Sequence, residues 1–217
     1  MNLQTDKVKV SNTGEGVQEV LKLAENFAAT LNLNNKNSLQ LRLLAEETIS
    51  MLKAVTKDFQ ADLWFEQENN ICKLYVEGKS SNLDYGKRKN ILELSSTGEN
   101  TERLGIMEKV REIFEAGMYG LEESFKLQNE TGAGNFNYGA LGMLDAGMSE
   151  AVYAWSMQKY KDELNTVREH NENNQDQDSE LNEAADELEK SIIANIADDV
   201  QVGITRDSVK LVITKKF

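Results

Sequence analysis

The sequence predicts an α+β fold: a two-layer sandwich of a mixed, mostly antiparallel sheet with helices on one face, plus a helical insertion. Three observations predict it. Two long stretches near the start repeat apolar residues every three or four positions, and stretches at 59–76 and 200–213 alternate apolar and polar residues as hairpins do. No repeat of fixed period runs through the chain, which excludes solenoids and propellers. The 217 residues suffice for one core and are read as a single domain over 1–217.

In order along the chain, Val8 and Val10 alternate with lysines and predict a first or edge strand. Asn12 with Glu15 has the form of a capping box, with Ser11 and Thr13 as alternative caps. A helix follows at 17–31, because Val17, Val20, Leu21, Ala24, Phe27, Ala28 and Leu31 stack on one face. An Asn-rich break ends it, and Asn37 with Gln40 repeats the capping pattern before a second helix at 41–55. That helix buries Leu41, Leu44, Ala45, Thr48, Leu52 and Val55. Phe59, Ala61, Leu63 and Phe65 share one face of a strand, Asn69 and Asn70 supply a tight turn, and Cys72, Leu74 and Val76 share a face of the returning strand. The same alternation directs Trp64 and Tyr75 to the opposite face, which is expected to be open, or covered by the insertion or by a partner.

Residues 78–82 are a loop by composition, followed by Asp84-Tyr85-Gly86, and Ile91 to Leu94 form a short apolar run that fits a strand or a short helix. Thr101 is placed to cap a helix with Ile106, Val110, Ile113, Phe114, Gly117 and Leu121 along one stripe. Glycines from 132 to 147 mark a flexible connector or lid in preference to a phosphate cradle. They match neither the Gly-Lys-Ser/Thr ending of a P-loop nor the Gly-x-Gly-x-x-Gly spacing. A helix from Ser149 is predicted by Tyr153, Met157, Tyr160, Leu164 and Val167, and a packing surface is the favoured reading of this stripe over an aromatic ligand wall. Residues 171–179 contain no apolar side chain and are read as a disordered loop. From Ser179 a further helix carries Leu181, Ala185, Leu188, Ile192 and Ile196, and a hairpin at 200–213 closes the chain.

Composition removes several function classes. With 37 acidic against 24 basic residues the net charge is −13, and the one dense basic run is Lys87-Arg88-Lys89, so nucleic-acid binding is not expected. No stretch approaches the roughly 18 apolar residues of a membrane span, and residues 1–6 lack the apolar segment of a secretory signal, which leads to a cytoplasmic expectation. Cys72 is the single cysteine and His170 the single histidine: no internal disulfide and no Cys/His zinc site is expected. Cys72 reads as a small buried hydrophobe, and His170 as an exposed, idle side chain.

Chemistry is sought at Leu43-Leu44-Ala45-Glu46-Glu47-Thr48-Ile49-Ser50-Met51. This segment resembles the N box of the histidine-kinase-like ATPases, the group of sensor kinases, gyrase-type ATPases and serine-kinase anti-sigma factors. The anti-sigma branch also resembles this chain in layout: a strand and helix, the N-box helix, a hairpin, an Asp-x-Gly-x-Gly loop, a helix entered through Leu-Gly, and closing strands. Here the corresponding loop is Asp84-Tyr85-Gly86 and the helix entry is Leu104-Gly105-Ile106. The resemblance covers about the first 127 residues and the last twenty, and leaves a helical, flexible insertion at about 129–197.

The resemblance implies ATP and magnesium as ligands, Glu47 as the catalytic base, Asp84 as the adenine-recognising acid, and Gly86 and Gly105 as cofactor-binding glycines. The chain departs from the family at the residue four after Glu47. There the family has a magnesium-holding Asn, whereas this sequence has Met51, and a thioether does not ligate magnesium. Shifting the frame by one pairs Glu46 with Ser50, a single weak oxygen, and in the loop Arg88 stands where a second glycine is expected. Phosphoryl transfer without a metal loses its main electrostatic support. The expectation is therefore a non-catalytic regulatory or protein-binding module with no bound cofactor, acting through a protein partner or as a homodimer. Two alternatives stay open: an active ATP-dependent serine/threonine kinase of anti-sigma type, and a structural or oligomerisation domain unrelated to nucleotides.

Overall fold

A computed structural model describes residues 2–55, 59–79, 110, 153–170, 191–205 and 208–217. Within them the fold is α+β, a seven-stranded sheet with helices packed against it. The elements are β1 (Asn2–Gln4), β2 (Val8–Ser11), α1 (Val17–Thr30), α2 (Asn35–Val55), β3 (Gln60–Glu68) and β4 (Ile71–Lys79). They continue with β5 (Tyr153–Ser156), α3 (Met157–His170), α4 (Ile192–Ile196), β6 (Asp199–Ile204) and β7 (Ser208–Lys216). The sheet order is β1-β3-β4-β7-β6-β5, with β2 beside β1 on the outer edge of β3. Every described pairing is antiparallel, in keeping with the mostly antiparallel sheet predicted.

Register explains the core. Opposed residues of an antiparallel pair lie on the same face, so Val8, Leu63, Val76, Leu211, Val202 and Trp155 form one continuous row across the sheet. Phe65, Leu74, Ile213 and Val200 form the next row. Both rows belong to the main apolar core together with Val20, Ala24, Phe27 and Ala28 of α1 and Leu41, Leu44, Ala45, Ile49 and Leu52 of α2. Phe27 stacks on Phe65 with ring centroids 5.5 Å apart, which fixes α1 over β3. Val110 is helical and joins this core, as its place in the 106–121 stripe predicts.

The first edge strand is interrupted. Thr5, Asp6 and Lys7 stand opposite only Trp64 and Phe65, a β-bulge of one extra residue. Thr5 N donates to Phe65 O at 3.0 Å, and Phe65 N donates to the Thr5 hydroxyl oxygen at 3.0 Å. The extra residue shifts the alternation by one, so Leu3 and Val8 both face the core despite their odd and even numbers. This phase break hides β1 from a period-two reading, which finds Val8 and Val10 alone.

Helix ends correct two capping expectations. α1 is capped by Gly16 in the left-handed region (φ 75°), without a side-chain cap from Asn12, Ser11 or Thr13. A Cβ there would lie 1.8 Å from the Lys9 carbonyl oxygen, so the loop passes too close to β2 for any side chain. The C-terminus of α1 is a Schellman turn. Leu33 N donates to Ala28 O and Asn32 N to Ala29 O, each at 3.0 Å, with Asn32 at φ 52°. α2 is capped by Asn34, whose Oδ1 accepts from Asn37 N at 2.9 Å, in place of the predicted Asn37 cap. In the hairpin turn Asn69 alone takes positive φ, at 57°.

The largest difference from the sequence reading lies at 153–156. A helix is predicted from 149, yet Tyr153–Ser156 forms edge strand β5 on β6 and α3 begins only at Met157. Tyr153, Met157 and Tyr160 mimic a helical stripe, but pairing with β6 places Trp155 in the core row, an arrangement set by a partner almost fifty residues away. Ser191 caps α4, its oxygen accepting from Ala194 N, and the helix has five residues within the longer stretch predicted from Ser179.

Candidate functional site

The N-box-like segment lies in the second half of α2. Consecutive residues advance by about 100° on a helix, so Glu47 and Met51 fall on one flank, one turn apart, while Glu46 and Ser50 fall on the side away from the core. The structure agrees with that arithmetic: Glu46 and Ser50 are exposed, Glu47 is half-buried at the rim, and Met51 is buried at 8% exposure within the apolar core. Thr48, between them, is fully buried, and its hydroxyl is satisfied by donating to Leu44 O at 2.6 Å. Thus the inner flank of this turn is packing surface, and Met51 contributes a thioether and methylenes where an oxygen-rich shell would be required to hold magnesium.

Of the predicted site residues, Glu47 is positioned as above, on the N-box-like helix. Asp84, Gly86 and Gly105 lie outside the described residues, as do Arg88, the basic run at 87–89 and the glycine-rich stretch at 132–147. Among the described residues no group of three or more His, Cys, Asp or Glu side chains could hold a metal ion, and no helix is long and apolar enough to cross a membrane.

Two further features lie outside the N-box-like helix, and only the first of them had no signal in the sequence. The first is Asp199, at the start of β6 and buried. Its Oδ1 accepts from Ser156 Oγ (3.0 Å), Gln158 N (3.0 Å) and Val200 N (2.9 Å), and its Oδ2 accepts from Gln201 Nε2 (2.8 Å). Ser156 Oγ in turn accepts from Lys159 N at 3.4 Å. Aspartate and serine together satisfy free N–H groups of the first turn of α3, so this network is a helix cap shared between two strands.

The second feature is the far face of the sheet, where Trp64, Tyr75 and Val212 form a small separate cluster at 6%, 6% and 0% exposure. The Trp64 and Tyr75 rings stack at 5.0 Å and 6°. Lys7 Nζ sits 4.0 Å from the Trp64 ring centre and 3.3 Å from Glu77 Oε2, while Lys210 Nζ is 3.4 Å from Glu77 Oε1. Alternation in the sequence assigns both rings to this face, and the structure places them there, buried.

The remaining motifs are structural. Trp155, Met157 and Tyr160 pack in or against the core, the Trp155 and Tyr160 rings 6.2 Å apart, as the packing reading of that stripe predicts. Cys72 is buried between β3 and β7, and desolvation pushes its thiol up to about 11 from 9.0. A thiol held in its neutral form is a poor nucleophile. Comparison of the chain with protein-family models, with curated proteins and with solved structures gives no match.

Proposed function

We propose that this chain is a non-catalytic regulatory or protein-binding module, built on a histidine-kinase-like ATPase layout in which the ATP and magnesium site has eroded. The N-box resemblance at 43–51 and the order of elements along the sequence support the layout, and the burial of Met51 in the apolar core supports the loss. A hard divalent cation takes oxygen ligands, and one turn after Glu47 this helix offers sulfur packed among hydrocarbon. Without the cation, the charge on the β- and γ-phosphates stays unneutralised and Glu47 has no activated phosphoryl group to serve. A fold that has given up transfer chemistry retains its surfaces, and contact with a protein partner or a second copy is the function left to it.

Thermal stability with and without millimolar Mg·ATP, in the wild-type chain and in Glu47→Ala, tests the reading. The expected result is no change in Tm on adding nucleotide to either protein, together with no phosphate transfer to added protein substrates. A ligand present at one hundred times its Kd stabilises the folded state by about 2.7 kcal/mol, several degrees in Tm for a chain of this size. A nucleotide-dependent rise of that order in the wild type, accompanied by phosphate transfer that Glu47→Ala abolishes, overturns the proposal in favour of an active serine/threonine kinase.

A further inference from the structure

We draw no further inference here: the strongest candidate, the Trp64–Tyr75–Val212 cluster on the sheet face turned away from α1 and α2, carries nothing because nothing among the described residues shows what covers it.

Discussion

Gly16 and Gly14 both sit at positive φ, 75° and 94°, but they differ in what surrounds them. Around Gly14 an added Cβ meets nothing within 4 Å, so Gly14→Ala should cost about 1 kcal/mol of left-handed strain. At Gly16 the same strain is joined by collision with the Lys9 carbonyl, which is backbone and cannot swing aside. Gly16→Ala is therefore expected to cost at least about 2 kcal/mol. Urea midpoints of the two variants compare them directly, and equal losses would refute the steric account. Cys72 gives a pH prediction. Its folded-state thiol titrates near 11 against 9.0 for a free thiol, so between these values the unfolded chain has released a proton that the native chain keeps. Stability must then fall as pH rises through this window, by up to about 1.4 kcal/mol per pH unit, and the contribution is fully present below pH 9. Cys72→Ala should flatten that slope in urea titrations, apart from the titration of other groups shared by both proteins.

Elements here are secured at their ends. β5 and α3 meet at Ser156–Met157, and Asp199 reaches across from β6 to hold the junction. Asp199→Ala leaves four donors, two of them backbone N–H groups, without their acceptor, and should lower stability by about 2 kcal/mol. Asp199→Asn keeps one carbonyl oxygen for those donors and should lose less than half as much in the same chemical denaturation experiment. A result in which both variants lose equally would assign the effect to the negative charge near the α3 N-terminus instead of to the acceptor. This junction also marks where the sequence was hard to read. Helices α1 and α2 were legible because their apolar spacing repeats over 14 and 21 residues, and β3, β4, β6 and β7 because alternation persists through each strand. β1 and β5 have three and four residues, too few for a period to declare itself. The caps failed for a related reason: several Asn, Ser and Thr residues near each start had equal local claims, and the approach of Lys9 to Gly16 decided one of them. At the candidate site the one-turn spacing of Glu47 and Met51 was legible from helical arithmetic, whereas the burial of Met51 needed the packed core, and the Asp199 network joins residues 41 and 43 positions apart and leaves no local pattern.

For the whole molecule, the sheet sets a gradient of stability. β4 and β7 are hydrogen-bonded on both sides and carry the apolar rows of the core, while β1, β2 and β5 lie at the margins. Native-state hydrogen exchange should be slowest at Leu74, Val76, Leu211 and Ile213 and faster at Leu3 and Ala154, the central amides opening only with global unfolding. Equal protection at the edges and the centre would contradict a single sheet-centred core. Charge acts at this scale as well. The surplus of 13 negative charges repels itself, and the exposed Glu25–Arg42 pair between α1 and α2 offsets little of that, since such pairs are worth at most about 1 kcal/mol.

Taken alone, the amino-acid order determined the fold class, the two long helices, the hairpins, the facing of Trp64 and Tyr75, and the presence of sulfur four residues after Glu47. Each of these follows from spacing within a few turns of one element. Only the tertiary structure decided that Met51 turns into the core, that residues 153–156 complete the sheet, and that Asp199 caps a helix more than forty residues upstream. Such features depend on surfaces brought together from distant parts of the chain, and burial and hydrogen bonding between them are defined only after the sheet has closed its register.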